Sequence, residues 1–339
     1  MNNFKKVGLS ALAGSLAMVS AQAAEMSVSG EAQAVFTTAQ GNENATEAGN
    51  GKGIGVDTDL AFSASGELDN GWTVSVSHVL DTDADVTNSS TQLAVGMGSL
   101  GTLQFNDVGG ASTNGIDDVL PFAYEEPWDS TSGTSEFNIF GSQLNKGSFT
   151  YKAPAIELMG ATISATYDYD PQASVAAPIA SAVGTDGPSG HGGTIAIAHE
   201  SGVTIGGGFT DIGNTDDIVG ESGYTGYIKY ANGPLTVGYQ EFYHNVAIDS
   251  NAESPDSDGD GFAIAYSAGD MSFSYSVQNE QTNSISNTAA LEEEEMQAVQ
   301  AAYTMGGMTV AASLFESDNV EGVSAVKYEE TEISVSFAF

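Results

Sequence analysis

Carboxylates supply most of the chemistry open to this chain. There are 45 Asp and Glu against seven basic residues, four His and no Cys. Asp256-Ser257-Asp258-Gly259-Asp260-Gly261 begins like a calcium loop, with oxygens at alternate positions and a turn glycine. The closing bidentate Glu is missing, since Ser267 stands seven residues after Asp260 and the residues between read as a strand. The segment is therefore not an EF-hand. Asp256, Asp258 and Asp260 remain weak candidate ligands for Ca2+ or Mg2+ at an outer loop, with a plain acidic turn as the alternative. Glu292 to Glu295 read the same way, and no other cofactor is expected. The histidines at 78, 191, 199 and 244 lack metal-ligand spacing, and no G-x-S-x-G nucleophile elbow occurs. Paired carboxylates are uninformative for glycosidase chemistry where acids are so abundant. No catalysis is expected.

The charge balance narrows the partners. All seven basic residues are lysines, at 5, 6, 52, 146, 152, 229 and 327, and the formal net charge is −38. Nucleic-acid binding needs basic surface against phosphate and is excluded. Many acids read either as a solvated face or as a lumen that attracts cations.

The elements that must carry these acids are strands. The last eight residues, Glu332 to Phe339, put Ile, Val, Phe and Phe on one face and Glu, Ser, Ser and Ala on the other. The same alternation recurs at Ile54–Ser65, Trp72–Ser77, Thr162–Tyr169, Phe262–Ser267 and Met271–Gln278. The second face is too small and polar for a soluble sandwich core and suits a wet lumen. Trp72, Tyr167, Tyr169, Tyr239, Tyr275 and Phe339 fit a lipid-facing aromatic girdle. No apolar stretch after residue 23 reaches the roughly 20 residues a spanning helix needs, so a membrane crossing requires a closed barrel.

Seven tight connections carry Gly, Asn or Asp: 69–71, 99–101, 157–160, 201–202, 232–234, 269–270 and 306–307. Eight longer polar segments lie near 37–53, 82–91, 107–146, 171–191, 212–222, 247–260, 282–294 and 317–324. Together they join sixteen strands, an even number that places both termini on one side and a size that keeps an aqueous channel. The run Leu291 to Ala302 reads as loop then strand, with a helical turn as the alternative. At the other end, Lys5 and Lys6, the apolar run Val7 to Val19 and Ala21-Gln22-Ala23 form a secretory signal peptide over residues 1–23, leaving 24–339 as one barrel domain. Its removal leaves five lysines and a net charge of −40.

One connection, Asp107 to about Lys146, is far longer than the rest and mixes apolar anchors with acids. Such a loop can fold against a wall and present carboxylates. The signal peptide, the sixteen-strand pattern, this third loop and the terminal Phe together resemble the Gram-negative general porins. Phe4 to Gln33 and Asn114 to Asp129 look most like the alphaproteobacterial branch. The resemblance implies a trimeric, 16-stranded antiparallel β-barrel in outer-membrane lipid and lipopolysaccharide. It also implies an inward-folded third loop, and passive diffusion of small hydrophilic solutes and ions. Carried onto this chain, Asp117, Asp118, Glu125, Glu126 and Asp129 become the constriction acids. Such porins line the facing wall with arginines, and this chain has none. Lys152 and Lys229, which fall on the lumen face by alternation, and Lys146 at the loop's end are the candidate wall cations. Asp57, Asp59, Glu67, Asp168, Asp170, Glu330 and Glu332 share the lumen parity. A cation-selective pore is the expectation. A substrate-selective porin, a non-conducting structural or adhesive barrel, and an outer-membrane enzyme are the alternatives.

Overall fold

The computed structural model describes residues 25–41, 50–81, 86–116, 119–127, 144, 146–171, 189–213, 218–245, 248–249, 256–283 and 291–339. Within them the chain forms one closed antiparallel barrel. In chain order the strands are β1 (Glu25–Gly41), β2 (Gly51–Glu67), β3 (Thr73–Asp81), β4 (Thr87–Gly96) and β5 (Thr102–Val108). Next come β6 (Lys146–Lys152 continued by Ile156–Leu158), β7 (Ala161–Asp170), β8 (Gly190–His199), β9 (Val203–Ile212) and β10 (Ser222–Asn232). The remainder are β11 (Leu235–Asn245), β12 (Asp256–Ala268), β13 (Met271–Asn283), β14 (Glu294–Met305), β15 (Met308–Asp318) and β16 (Lys327–Ala338). Both pieces of β6 pair with β7, so they are one strand interrupted at Pro154, which has no N–H to give the ladder. Ala153 N–H still reaches Ala165 O at 3.0 Å across the break. Ile218–Val219 pairs with Ile248–Asp249 as a separate two-stranded ladder.

Each strand pairs with its chain neighbours, and β1 also pairs with β16 along Glu31↔Ala338 to Gly41↔Tyr328, which closes the barrel. The ladder runs to the last residue: Phe339 N–H donates to Gly30 O at 2.9 Å and Gly30 N–H to Phe339 O at 2.8 Å. The Phe339 ring lies over Gly30, where any Cβ would be 2.7 Å from it.

The seven tight connections fall where the sequence placed them; the eight long ones join the expected strands, but strands extend into the expected segments at 37–41, 51–53, 87–91 and 256–260. The run from Leu291 resolves as loop then strand. Between β6 and β7, Met159 and Gly160 have φ of +53° and +79°, the two positive values of a type I′ hairpin turn.

The outward face is apolar and open. Ile54, Val56, Ile205, Val299, Leu314 and Phe337 are among its most exposed side chains. A continuous belt of this kind is a liability in water and a requirement in lipid. No helix among the described residues is long and apolar enough to cross a membrane; the strands are the spanning elements. The inward face is mostly Ser, Thr, Gln, Gly and Ala, with acids interspersed.

Two apolar clusters line the inside of the barrel, and the long connection between β5 and β6 packs on both. Ala111 and Leu144, near its two ends, pack with Ile212 of β9. Phe122 packs on a platform of Phe242, Met296, Ala298, Phe315, Val320, Val326 and Tyr328. Burying such side chains stabilises by about 1.5–3 kcal/mol each, which is why this loop lies against the wall rather than in solvent.

Candidate functional site

The β5–β6 loop enters the lumen at a carboxylate. Asp168 on β7 is fully buried and accepts hydrogen bonds from Ser112 N–H (3.0 Å), Ser112 Oγ (2.5 Å), Thr113 N–H (3.1 Å) and the Thr150 hydroxyl. Four donors satisfy a charge that would otherwise be costly to bury. From there the loop follows the wall. Gln240 on β11 donates to Ile116 O at 2.9 Å. Ala123 N–H donates to Ser274 Oγ on β13 at 2.9 Å, and Tyr124 N–H to Gln300 Oε1 on β14 at 3.2 Å. Gln300 Nε2 returns a bond to Glu125 O at 2.6 Å. At the far end Tyr124 Oη donates to Glu332 Oε1 on β16 at 2.5 Å and accepts from Gln33 Nε2 on β1 at 3.1 Å. The described part of the loop thus sweeps from β7 to β1 and narrows the lumen.

Glycines on the lumen face make room for it. A Cβ at Gly192 would stand 2.6 Å from Leu144 Cδ1, one at Gly208 2.6 Å from Ile116 Cδ1, and one at Gly238 3.0 Å from Leu120 and Pro121. Each is a position where the wall is bare backbone so that an apolar loop side chain can approach.

Of the expected constriction acids, Glu125 and Glu126 are half-buried and share a small cleft with Pro127, Ser313, Phe315, Glu330 and Glu332. Asp117, Asp118 and Asp129 lie outside the described residues, as do residues 1–23, where the sequence reading places a signal peptide. Burial, with Glu125 and Glu332 beside it, pushes the Tyr124 phenol well above its ordinary pKa. It therefore remains a hydrogen-bond donor to Glu332 at neutral pH.

The wall away from the loop is acidic too. Asp57 and Asp59 on β2 and Asp81 on β3 bring carboxylate oxygens within 4.8 Å of one another. Asp59 pairs across the ladder with Glu31 on one side and Asp81 on the other. With Glu330 and Glu332 these residues make an acidic arc over four adjacent strands, β16, β1, β2 and β3. Lys152 Nζ donates to Gln104 Oε1 at 2.9 Å on the lumen side of β6. Lys229 is half-buried in the lumen, opposite Gly238 of β11 and Thr204 of β9. Lys146 opens β6 opposite Val108, and its side chain is outside the described set.

One placement is corrected. Asp256, Asp258 and Asp260 are not in a loop; they open β12, paired with Asn245, Tyr243 and Glu241 on one side and with Asn283, Gln281 and Asn279 on the other. They share the outward parity of Phe262 and Tyr266. Alternate residues of an extended strand stand about 7 Å apart, which does not wrap an ion as a loop does. Glu294 likewise opens β14, accepting from Ser317 Oγ at 2.6 Å and Glu321 N–H at 2.9 Å.

Sequence reasoning placed Asp168 on the lumen side without seeing that it anchors the loop. It also missed Tyr124 and the wall groups Gln33, Gln240, Ser274 and Gln300. The available signal was long amides on the lumen parity among small residues: an amide can both donate to and accept from a passing backbone.

The family model for Gram-negative porins matches residues 8–339. No curated protein matches the sequence. Among solved structures, Salmonella typhi OmpF in complex with daunomycin superimposes with a TM-score of 0.68 at 12% identity, over 93% of this chain and 97% of that one. The anion-selective porin from Comamonas acidovorans gives 0.66 at 10% identity, covering 94% and 100%. Vibrio cholerae OmpT in its trimer form gives 0.65 at 14%, covering 94% and 100%. A family match over nearly the whole chain, on a closed sixteen-stranded barrel with a lumen-narrowing loop, establishes that this chain belongs to the Gram-negative porin family.

Proposed function

We propose that this outer-membrane porin is a cation-selective channel for passive diffusion of small hydrophilic solutes and ions. The observation that carries the reading is the acidic arc Glu330, Glu332, Glu31, Asp57, Asp59 and Asp81, set in a chain without arginine whose loop adds Glu125 and Glu126. Carboxylates lining a narrow passage attract cations and repel anions. Fold similarity does not decide the sign, because an anion-selective porin shares this architecture; the excess of lumen carboxylates supports the cationic one. Lys152 and Lys229 are the opposing charges, and Lys152 is engaged with Gln104. Asp117, Asp118 and Asp129 would add to the loop's negative charge. Residues 1–23 would direct export and be removed. The chain would assemble as a homotrimer, a form in which Vibrio cholerae OmpT is also described, in a lipopolysaccharide-bearing membrane. Weak Ca2+ or Mg2+ binding at the acidic outer rim would be incidental to conduction.

The test is the reversal potential of purified protein in a planar bilayer under a KCl gradient. A potential of cationic sign that shrinks in concentrated salt supports the reading. An anionic sign overturns it and assigns the passage to Lys152 and Lys229. Folded protein that carries no current would point to a structural barrel.

A further inference from the structure

Tyr124 connects three parts of the molecule through one oxygen. The residue stands on the long loop beside Glu125 and Glu126. Its hydroxyl donates to Glu332 on β16 and accepts from Gln33 on β1. Those are the last and first strands, whose pairing closes the barrel. The second carboxylate oxygen of Glu332 accepts from Thr37 Oγ1 on β1 at 3.3 Å. The phenol therefore bridges the closure seam from inside and holds the loop to it.

Neighbouring residues make contacts of their own: Ala123 N–H, Tyr124 N–H and Glu125 O bond through the backbone, Phe122 packs on the wall, and the Glu125 side chain also hydrogen-bonds Glu332. Any residue at 124 would keep them. The two bonds of the Tyr124 hydroxyl, to Glu332 on one side of the seam and from Gln33 on the other, depend on the phenol. Phenylalanine would fill nearly the same space and leave the Glu332 oxygen and the Gln33 amide without that partner, a situation unfavourable for half-buried polar groups.

We propose that Tyr124 is a positioning residue for conduction, a clamp that holds Glu125 and Glu126 in register with the acidic wall. This rests on the reading of those two acids as part of the constriction. Loss of the clamp would free the end of the loop while the barrel, held by its ladders, stays closed.

Because the chain has no cysteine, a single cysteine placed by Glu126→Cys reports how open the loop is to a water-soluble thiol reagent. The Tyr124→Phe change should raise its modification rate several-fold. On an otherwise unaltered chain the same change should increase open-channel current noise and move the cation-to-anion permeability ratio toward one. Strand content should not change. A purely structural role would lower unfolding temperature without altering noise or labelling in the folded channel. Should Tyr124→Phe fold poorly, Gln33→Leu removes one of the two seam bonds and is read by the same two measurements. Unaltered labelling and unaltered noise overturn the clamp whatever the selectivity does. Neutralising Glu125 and Glu126 tests the constriction reading separately: if selectivity is unmoved there, that reading fails while labelling and noise still judge Tyr124.

Discussion

Asp168 takes two hydrogen bonds from Ser112, one from its backbone N–H at 3.0 Å and one from its hydroxyl at 2.5 Å. This single carboxylate fixes where the long loop first meets the lumen wall. Charge-assisted bonds of this kind contribute roughly 1.5–3 kcal/mol each. Asp168→Ala also strands the donors of Thr113 and Thr150 in a buried site. The expected outcome is a folded but less stable barrel with a noisier channel. Urea unfolding in detergent and single-channel recording measure the two effects. Asp168→Asn, which keeps one acceptor, should fall between.

Gly208 and Gly238 test the seating of the loop by volume. Gly208→Val sets carbon against Ile116 Cδ1, at 2.6 Å for the Cβ alone, and should lift the loop into the passage. Overpacking of this sort costs about 1–3 kcal/mol. Conductance should drop. Gly238→Ala meets Leu120 and Pro121 at 3.0 Å and should act in the same direction more weakly.

The wall acids predict a salt-dependent change in selectivity. Neutralising Asp59 and Asp81 together should lower the cation preference at about 0.1 M KCl, where the screening length is about 10 Å, and have little effect at about 1 M, where it is about 3 Å. A change that persists undiminished at high salt would assign these residues a steric role.

Met159 offers a control away from the passage. It holds φ = +53° in a hairpin turn and is 90% exposed. A left-handed conformation costs a non-glycine residue roughly 1–2 kcal/mol, and the flexibility of glycine in the unfolded chain offsets about half of that. Met159→Gly should raise stability by about 0.5–1 kcal/mol and leave conductance and selectivity as they are.

Tyr124 predicts a behaviour at high pH. Its pKa is raised above the ordinary 10.0 by burial first and by Glu125 and Glu332 next. A raised acid contributes stability that is fully present below its unfolded-state pKa and is lost as pH climbs toward the folded value. Stability should therefore hold to about pH 10 and decline above it. In Tyr124→Phe the decline should be shallower, as followed by unfolding in detergent across that range.

Much of this fold is written locally. Alternation at Glu332–Phe339 and Met271–Gln278 assigns faces because a strand has a period of two, and Asn70-Gly71 or Gly306-Gly307 ends a strand because few other residues tolerate the turn. The run at 291–302 was ambiguous because Glu, Met, Gln and Ala favour helix; pairing with β13 and β15 made it a strand. The same override moved Asp256, Asp258 and Asp260 from a loop into β12, since a ladder with β11 and β13 satisfies their backbone groups.

The sequence by itself determined the strand count, the face each residue occupies, the place of the long loop and the excess of negative charge. All of these depend on neighbours along the chain. The tertiary structure alone decided which lumen acids are spent as anchors and which stay on the passage wall. Asp168, Asp59 and Glu332 have the same parity and the same chemistry. They differ in what the fold brings against them: the long loop brings backbone donors to Asp168 and a phenol to Glu332, while the neighbouring strands set other carboxylates across the ladder from Asp59. Such meetings are set by barrel closure and loop packing, which no local pattern encodes.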